Sequence, residues 1–155
     1  MAGAVDKRLA DKGIQLPTPA APAANYVPWV VSGNLAFISG QLPMIDGTLQ
    51  YSGAVGRDVT IEDGQAAARL CALNILAQLK EACGGDLDRV VRCVKVGAFV
   101  SAEPDFVDQP AVINGASDLL VDVLGDAGKH ARFAVAAPSL PLGAPVEVDG
   151  IFEIK

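Results

Sequence analysis

Apolar residues recur along this chain in two rhythms. Between Thr60 and Ala82 they return every three or four positions, at Ala66, Leu70, Leu73, Leu76, Ala77 and Leu79, which predicts an amphipathic helix. Thr60 followed by Asp63 resembles a capping box with Asp in place of Glu, and Gly84-Gly85 ends the helix. The same rhythm at Val112, Ile113, Ala116, Leu119, Leu120 and Val123 predicts a second helix from about Gln109 to Leu124, with Pro110 in its first turn and Gly125 as its C-cap. The other rhythm has a period of two. Tyr26–Val31 and Leu35–Ser39 flank the turn Ser32-Gly33-Asn34 and predict a β-hairpin. A short third strand is expected near Leu49–Tyr51. Val90–Val100 is a strand with Val94, Val96, Ala98 and Val100 on one face and Cys93, Lys95, Gly97 and Phe99 on the other. Ala131–Ile154 reads as two strands joined by a Pro-rich loop, the second placing Glu147 and Asp149 opposite Val146 and Val148.

Ahead of these elements, residues 4–12 predict a short surface helix ending at Gly13. Residues 14–24 are rich in Pro and Ala and predict an extended arm. Residues 1–24 are thus an N-terminal extension and 25–155 a single domain. The order of elements is hairpin, helix, strand, helix, two strands. It predicts an α+β sandwich, a mixed sheet with two helices packed on one face. Both faces of the Val90–Val100 strand are partly apolar, so both should be covered, one by the helices and the other by a further subunit.

Charge narrows the function classes. The net charge is −6, with no basic run, which argues against a nucleic-acid partner. Cys71, Cys83 and Cys93 lack CxxC spacing and are expected reduced and buried. No apolar run is long enough to span a membrane and the N-terminus has no apolar leader, so the expected location is cytoplasmic. His130 is the only histidine and reads as a surface-loop residue. With no ligand cluster around it, neither a metal nor a cofactor is expected.

The candidate chemistry rests on few residues. Arg132 opens an apolar strand. It reads either as an edge residue reaching water or as an anion clamp facing an acidic residue across a pocket, a role suited to its planar fork. Gly40, directly after a strand, lets something come close to the backbone. Asn114-Gly115 sits early in a helix that both residues disfavour, with a solvent-facing Asn as the plain alternative. One Arg, one or two carboxylates and a few Ser, Asn and Tyr groups suit binding of a small carboxylate and acid–base handling of a water.

The run from Ala131 resembles the signature of the YjgF/Rid family, also called the endoribonuclease L-PSP family. That signature is an Arg, then Leu-Pro eight and nine residues on, then V-E-V. Here these are Arg132, Leu140-Pro141 and Val146-Glu147-Val148. GNLAFISGQLP (33–43), the GQAAARLCALNIL run and PDFVDQPAVINGA (104–116) support it. The similarity covers roughly Ala24 to the C-terminus, as a longer, divergent branch. The resemblance implies a homotrimer of chorismate-mutase-like fold with pockets between subunits. It implies hydrolysis of 2-imino acids to 2-oxo acids and ammonia. It matches the family's carboxylate-gripping Arg to Arg132 and its water-orienting Glu to Glu147. Its pocket Tyr, SGQ segment and helix Asn match Tyr26, Ser39-Gly40-Gln41 and Asn114. Ala134 stands where the family archetype has a Cys. The alternatives are a small-carboxylate binder without turnover and, more remotely, a ribonuclease.

Overall fold

A strand pair closes on Gly33-Asn34 because Gly33 takes φ 62°, the left-handed conformation that a two-residue hairpin loop demands of its first residue. In the computed structural model, which describes residues 2–21 and 25–155, this hairpin joins β1 (Trp29–Ser32) to β2 (Leu35–Gln41). The first strand begins at Trp29 rather than Tyr26, since Pro28 has no N–H to give a ladder. A separate two-stranded ribbon, β3 (Met44–Ile45) with β4 (Thr48–Leu49), occupies the place of the expected third strand.

Helix α2 spans Ile61–Ala82, and Thr60 Oγ caps it by accepting from Asp63 N at 3.1 Å. Leu76, Ala77 and Leu79 of the predicted stripe are buried, but toward the N-terminal half the buried face is rotated from the predicted one. Gly64, Ala67, Ala68, Cys71, Ala72, Ile75, Leu76 and Leu79 point inward, whereas Ala66 is exposed and Leu70 and Leu73 are only half-buried. The small residues let a second helix come close. Helix α3, Gln109–Leu124, packs along α2 with its whole predicted stripe buried. A methyl group on Gly115 would overlap the Gln65 carbonyl of α2, which explains a glycine that the helix pattern does not.

Strands β5 (Val90–Ser101), β6 (Ala131–Ala137) and β7 (Val146–Ile154) complete a five-stranded sheet of order β1-β2-β7-β5-β6. Only β5 and β6 are parallel, because α3 carries the chain between them and a parallel pair needs such a crossover. The terminal strands β6 and β7 are therefore not neighbours; β5 lies between them. A register shift between Cys93 and Lys95 breaks the expected alternation of β5. A bulge lets two successive residues share a face, so Cys93 turns to the core (0% exposed) and Val94 outward (37%).

Helices α2 and α3 cover one face of the sheet, with Val96, Ala98, Val100, Val146, Val148 and Phe152 buried beneath them. Burial of each Val or Phe among them contributes roughly 1.5–3 kcal/mol. All three cysteines are buried and free, and burial pushes the Cys93 thiol up to about 12. A third helix, α1 (Ala4–Asp11), does more than lie on the surface: Val5 and Leu9 join the core. Asp88 accepts from the N–H groups of Ala4 and Val5 at 2.8 and 2.9 Å, and Lys80 pairs with Asp6 at 2.9 Å. The arm runs extended from Ile14 to Ala21; Pro22, Ala23 and Ala24, and with them the expected domain boundary, lie outside the described residues. The opposite sheet face is open in the single chain. Val30, Phe37, Phe99, Phe133 and Val135 remain 37–50% exposed there. Among the described residues no helix is long and apolar enough to cross a membrane.

Candidate active site

The end of β2 and the start of β7 shape the main cavity, of about 730 Å3. Alternation along β7 sends Val146 and Val148 into the core and Glu147 and Asp149 to the open face. Glu147 points into the cavity beside Gly40. A Cβ on Gly40 would lie 2.6 Å from Glu147 Oε1, so the close approach expected at this glycine is that of the carboxylate. Ser39 and Tyr26 also line the space. Ser39 Oγ donates to Val27 O at 2.7 Å, which ties the Tyr26 segment to β2.

Glu147 is half-buried, and its pKa is raised, first by burial and then by the charge of Asp149. Asp149 is itself raised by burial, although it accepts from Gly97 N at 3.0 Å. Both effects make Glu147 a stronger base than a solvated carboxylate.

Arg132 lies elsewhere. It pairs with Val96, a core-facing residue, whereas Glu147 pairs with Phe99 on the open face. The two side chains leave opposite faces of the sheet, from strands about 10 Å apart. Within one chain they cannot grip one small molecule. The structure instead joins Arg132 to Asn114: Nη1 donates to Asn114 Oδ1 at 3.0 Å and to Ser117 Oγ at 3.1 Å, and Nη2 to Pro110 O at 3.4 Å. Asn114 is exposed, as its plain reading expects, and Arg132 lies on the edge strand, yet the two meet: α3 faces β6 and supplies acceptors to the guanidinium. The lone histidine is likewise not free on a loop. His130 Nε2 lies 2.9 Å from Ser117 Oγ and Nδ1 lies 2.6 Å from Gly128 O.

Six candidate residues thus form two groups, Tyr26, Ser39, Gly40 and Glu147 around the cavity, and Arg132 with Asn114 at the β6 edge. Several further cavity residues escaped sequence reasoning. Thr18 to Ala21 of the arm make one wall. Gln78, 2% exposed, holds that wall by donating from Nε2 to Ala20 O at 3.0 Å. Asn74 Nδ2 donates to Leu42 O and Met44 O, both at 3.0 Å, and secures the β2–β3 connection. Two amides within an apolar helix pattern, at positions 74 and 78, were the available signal. Leu142, with φ 60° and 72% exposed, stands at the cavity edge.

Comparison with known proteins bears on this arrangement. The family model described as "YjgF/chorismate_mutase-like, putative endoribonuclease" matches residues 6–153, so the match extends through most of α1 and the arm as well as the sheet. Protein TCP17 of Trypanosoma cruzi is 49% identical over 99% of this chain and 96% of its own. Atu1372 from Agrobacterium tumefaciens, a crystal structure of unknown function, is 51% identical, with TM-score 0.91 over 97% of this chain and 92% of its own. A Shewanella oneidensis crystal structure described as a "putative endoribonuclease" is 36% identical, with TM-score 0.93 over 98% of this chain and 100% of its own. The signature from Arg132 to Val148, the two-helix cover on one sheet face and a family match over nearly the whole length lead to one conclusion: this chain belongs to the YjgF/Rid family.

Proposed function

We propose that the protein hydrolyses 2-imino acids to 2-oxo acids and ammonia, in sites completed between the subunits of a homotrimer. The observation that carries this reading is the separation of Arg132 from Glu147. Arg132 is held by acceptors of α3 and Glu147 points into the cavity beside Gly40, yet in one chain they face opposite ways. A second copy that brings its Arg132 edge to the Glu147 cavity supplies the missing half. The exposed Phe37, Phe99, Phe133 and Val135 on the open sheet face are the surface to be buried on assembly.

In such a site Arg132 binds the substrate carboxylate by two parallel hydrogen bonds. Glu147 orients a water and takes its proton as the oxygen adds to the imine carbon. Glu147 then gives that proton to the adduct nitrogen, and as the hydroxyl proton leaves to water the adduct collapses, forming the C=O bond of the 2-oxo acid, breaking the C–N bond and releasing ammonia. A protonated imine is already electrophilic, so positioning plus one general base, worth on the order of 10²–10⁴-fold for the proton transfer, is sufficient. The raised pKa of Glu147 suits that base. No metal or cofactor has a part in this scheme, and a cytoplasmic location accords with it.

A carboxylate-binding role without turnover is the second reading, since a guanidinium with free parallel donors holds a carboxylate with or without hydrolysis; Ala134, in place of the archetype's Cys, bears on substrate range. Ribonuclease action is disfavoured, because no Lys or Arg is among the described residues lining the cavity and the chain is acidic.

The test uses an amino-acid oxidase to generate 2-imino acids and semicarbazide to trap them, with wild type beside Arg132→Ala. Faster imine loss with wild type alone supports the deaminase and the role of Arg132. Acceleration by neither protein supports the binder. Light scattering should return the mass of three 15.9 kDa chains; a monomer would remove the shared site.

A further inference from the structure

We propose that Ser117 and His130 are positioning residues for Arg132, acting through a hydrogen-bond relay with a defined direction. This inference rests on the reading of Arg132 as the carboxylate-binding group and names what aims it.

The direction follows from donor and acceptor inventory. Gly128 O can only accept, so the His130 nitrogen 2.6 Å away, Nδ1, carries the proton. In a neutral imidazole the other nitrogen, Nε2, is then a lone pair. Ser117 Oγ, 2.9 Å from Nε2, must donate its O–H there. With its proton committed to the ring, Ser117 presents lone pairs to its other side, where Arg132 Nη1 donates at 3.1 Å. The chain of donation therefore runs Arg132 to Ser117 to His130 to Gly128 O. Its far end is rigid, because Gly128 is buried and a methyl group there would overlap the Leu120 carbonyl of α3.

The relay and Asn114 together use both Nη1 protons, and Pro110 O faces one Nη2 proton. Among the described residues, Nε–H and the second Nη2–H have no acceptor in the chain. With Pro110 O on the Nη2 proton that faces the Nη1 end, the two remaining donors run parallel on one side of the guanidinium, the pair a carboxylate takes in two-point geometry. One side of the fork is fixed by α3 and the other is left for a ligand. An Arg side chain otherwise carries about 2 kcal/mol of rotamer entropy, so a relay that holds one side reduces what binding must order.

His130 is the chain's only histidine, so a nitrogen-15 spectrum of the imidazole ring reports on it alone. The expected result for the wild-type protein is the Nδ1–H tautomer, with Nε2 as the hydrogen-bonded acceptor. An Nε2–H tautomer would overturn the relay, whatever the enzyme does. In the imine assay, Ser117→Ala and His130→Ala should raise KM by roughly 3- to 10-fold, as for loss of one hydrogen bond, with kcat within about twofold. If Arg132→Ala is inactive while both variants keep the wild-type KM, the positioning roles fall and the deaminase reading stands. If Arg132→Ala retains full activity, the assignment of Arg132 as the carboxylate-binding group falls and the positioning roles fall with it, while the deaminase reading stands. Without turnover, calorimetric binding of pyruvate gives the same comparison: Kd should rise in both variants, and an unchanged Kd overturns the proposal. Labelling of Ser117 by a fluorophosphonate would make the pair a hydrolytic dyad and likewise overturn it.

Discussion

Gly40→Ala is the sharpest single test of the site. Gly40 is not in the left-handed region, so alanine can adopt its backbone, and the change should restrict the unfolded chain by about 0.4–1 kcal/mol in favour of folding. The added methyl, however, would sit 2.6 Å from Glu147 Oε1 and 3.2 Å from Glu147 Cδ. An ordinary contact is about 3.5 Å, so the carboxylate must retreat by roughly 0.9 Å. It is the far end of a flexible side chain and can do so at little cost to stability. Catalysis is less forgiving: a misplacement of about 1 Å can cost on the order of 100-fold, equivalent to about 2.7 kcal/mol of barrier. The expected outcome is a kcat/KM for imine hydrolysis lower by roughly 10- to 100-fold, carried mainly by kcat. The urea midpoint should correspond to wild-type stability within about 1 kcal/mol. The assay is the semicarbazide competition, with urea denaturation followed by circular dichroism alongside. Wild-type kcat/KM in a folded Gly40→Ala protein would refute the reasoning, since the water-orienting position of Glu147 would then not matter.

Other consequences follow from the same packing. Glu147→Gln should abolish turnover yet stabilise the protein at neutral pH. The folded pKa of Glu147 is raised, so its contribution is fully present below the unfolded value of about 4.3 and is lost as pH rises through the folded value. Denaturation at several pH values should show the variant's advantage growing from acid to neutral; an advantage confined to acid would reverse the sign. Gly115→Ala places a methyl against the Gln65 carbonyl and should destabilise by about 1–3 kcal/mol through overpacking, measured as a lower urea midpoint. Gln78→Ala frees Ala20 O and with it the arm wall. Faster amide exchange in residues 18–21 and a changed side-chain preference among imino acids are expected, at a stability cost of about 0.5–1.5 kcal/mol. Unchanged preference would show that the arm does not select substrates.

Elements that depend on local chemistry were legible in the sequence. The Thr60 cap, the Gln109–Leu124 helix with Pro110 and Gly125 at its ends, the Gly33-Asn34 hairpin and the alternation around Glu147 each depend on a few adjacent residues. The family signature from Arg132 to Val148 is local in the same sense. Most of what failed required a partner from far along the chain. The inward face of the N-terminal half of α2 was misplaced because Gly64, Ala67, Ala68 and Ala72 carry little hydrophobic weight, though their smallness is what admits α3. The β5 bulge at Cys93–Lys95 moved two side chains across the sheet, and no residue in that run announces it.

The candidate site divides along the same line. The sequence by itself singled out the candidate groups for the chemistry, since Arg132, Glu147, Ser39 and Asn114 stand in a recognisable order at set spacings. Only the tertiary structure decided where they point. Pairing across β5 sends Arg132 to the helix face and Glu147 to the open face, because side chains alternate with a period of two and register assigns the parity. It also decided that the arm walls the cavity through Gln78 and Ala20, and that His130 and Ser117 stand behind Arg132. Those contacts join residues 13 to 58 positions apart, and no local rule reaches across such distances; they form because packing α2 and α3 on one sheet brings these particular polar groups within hydrogen-bond range.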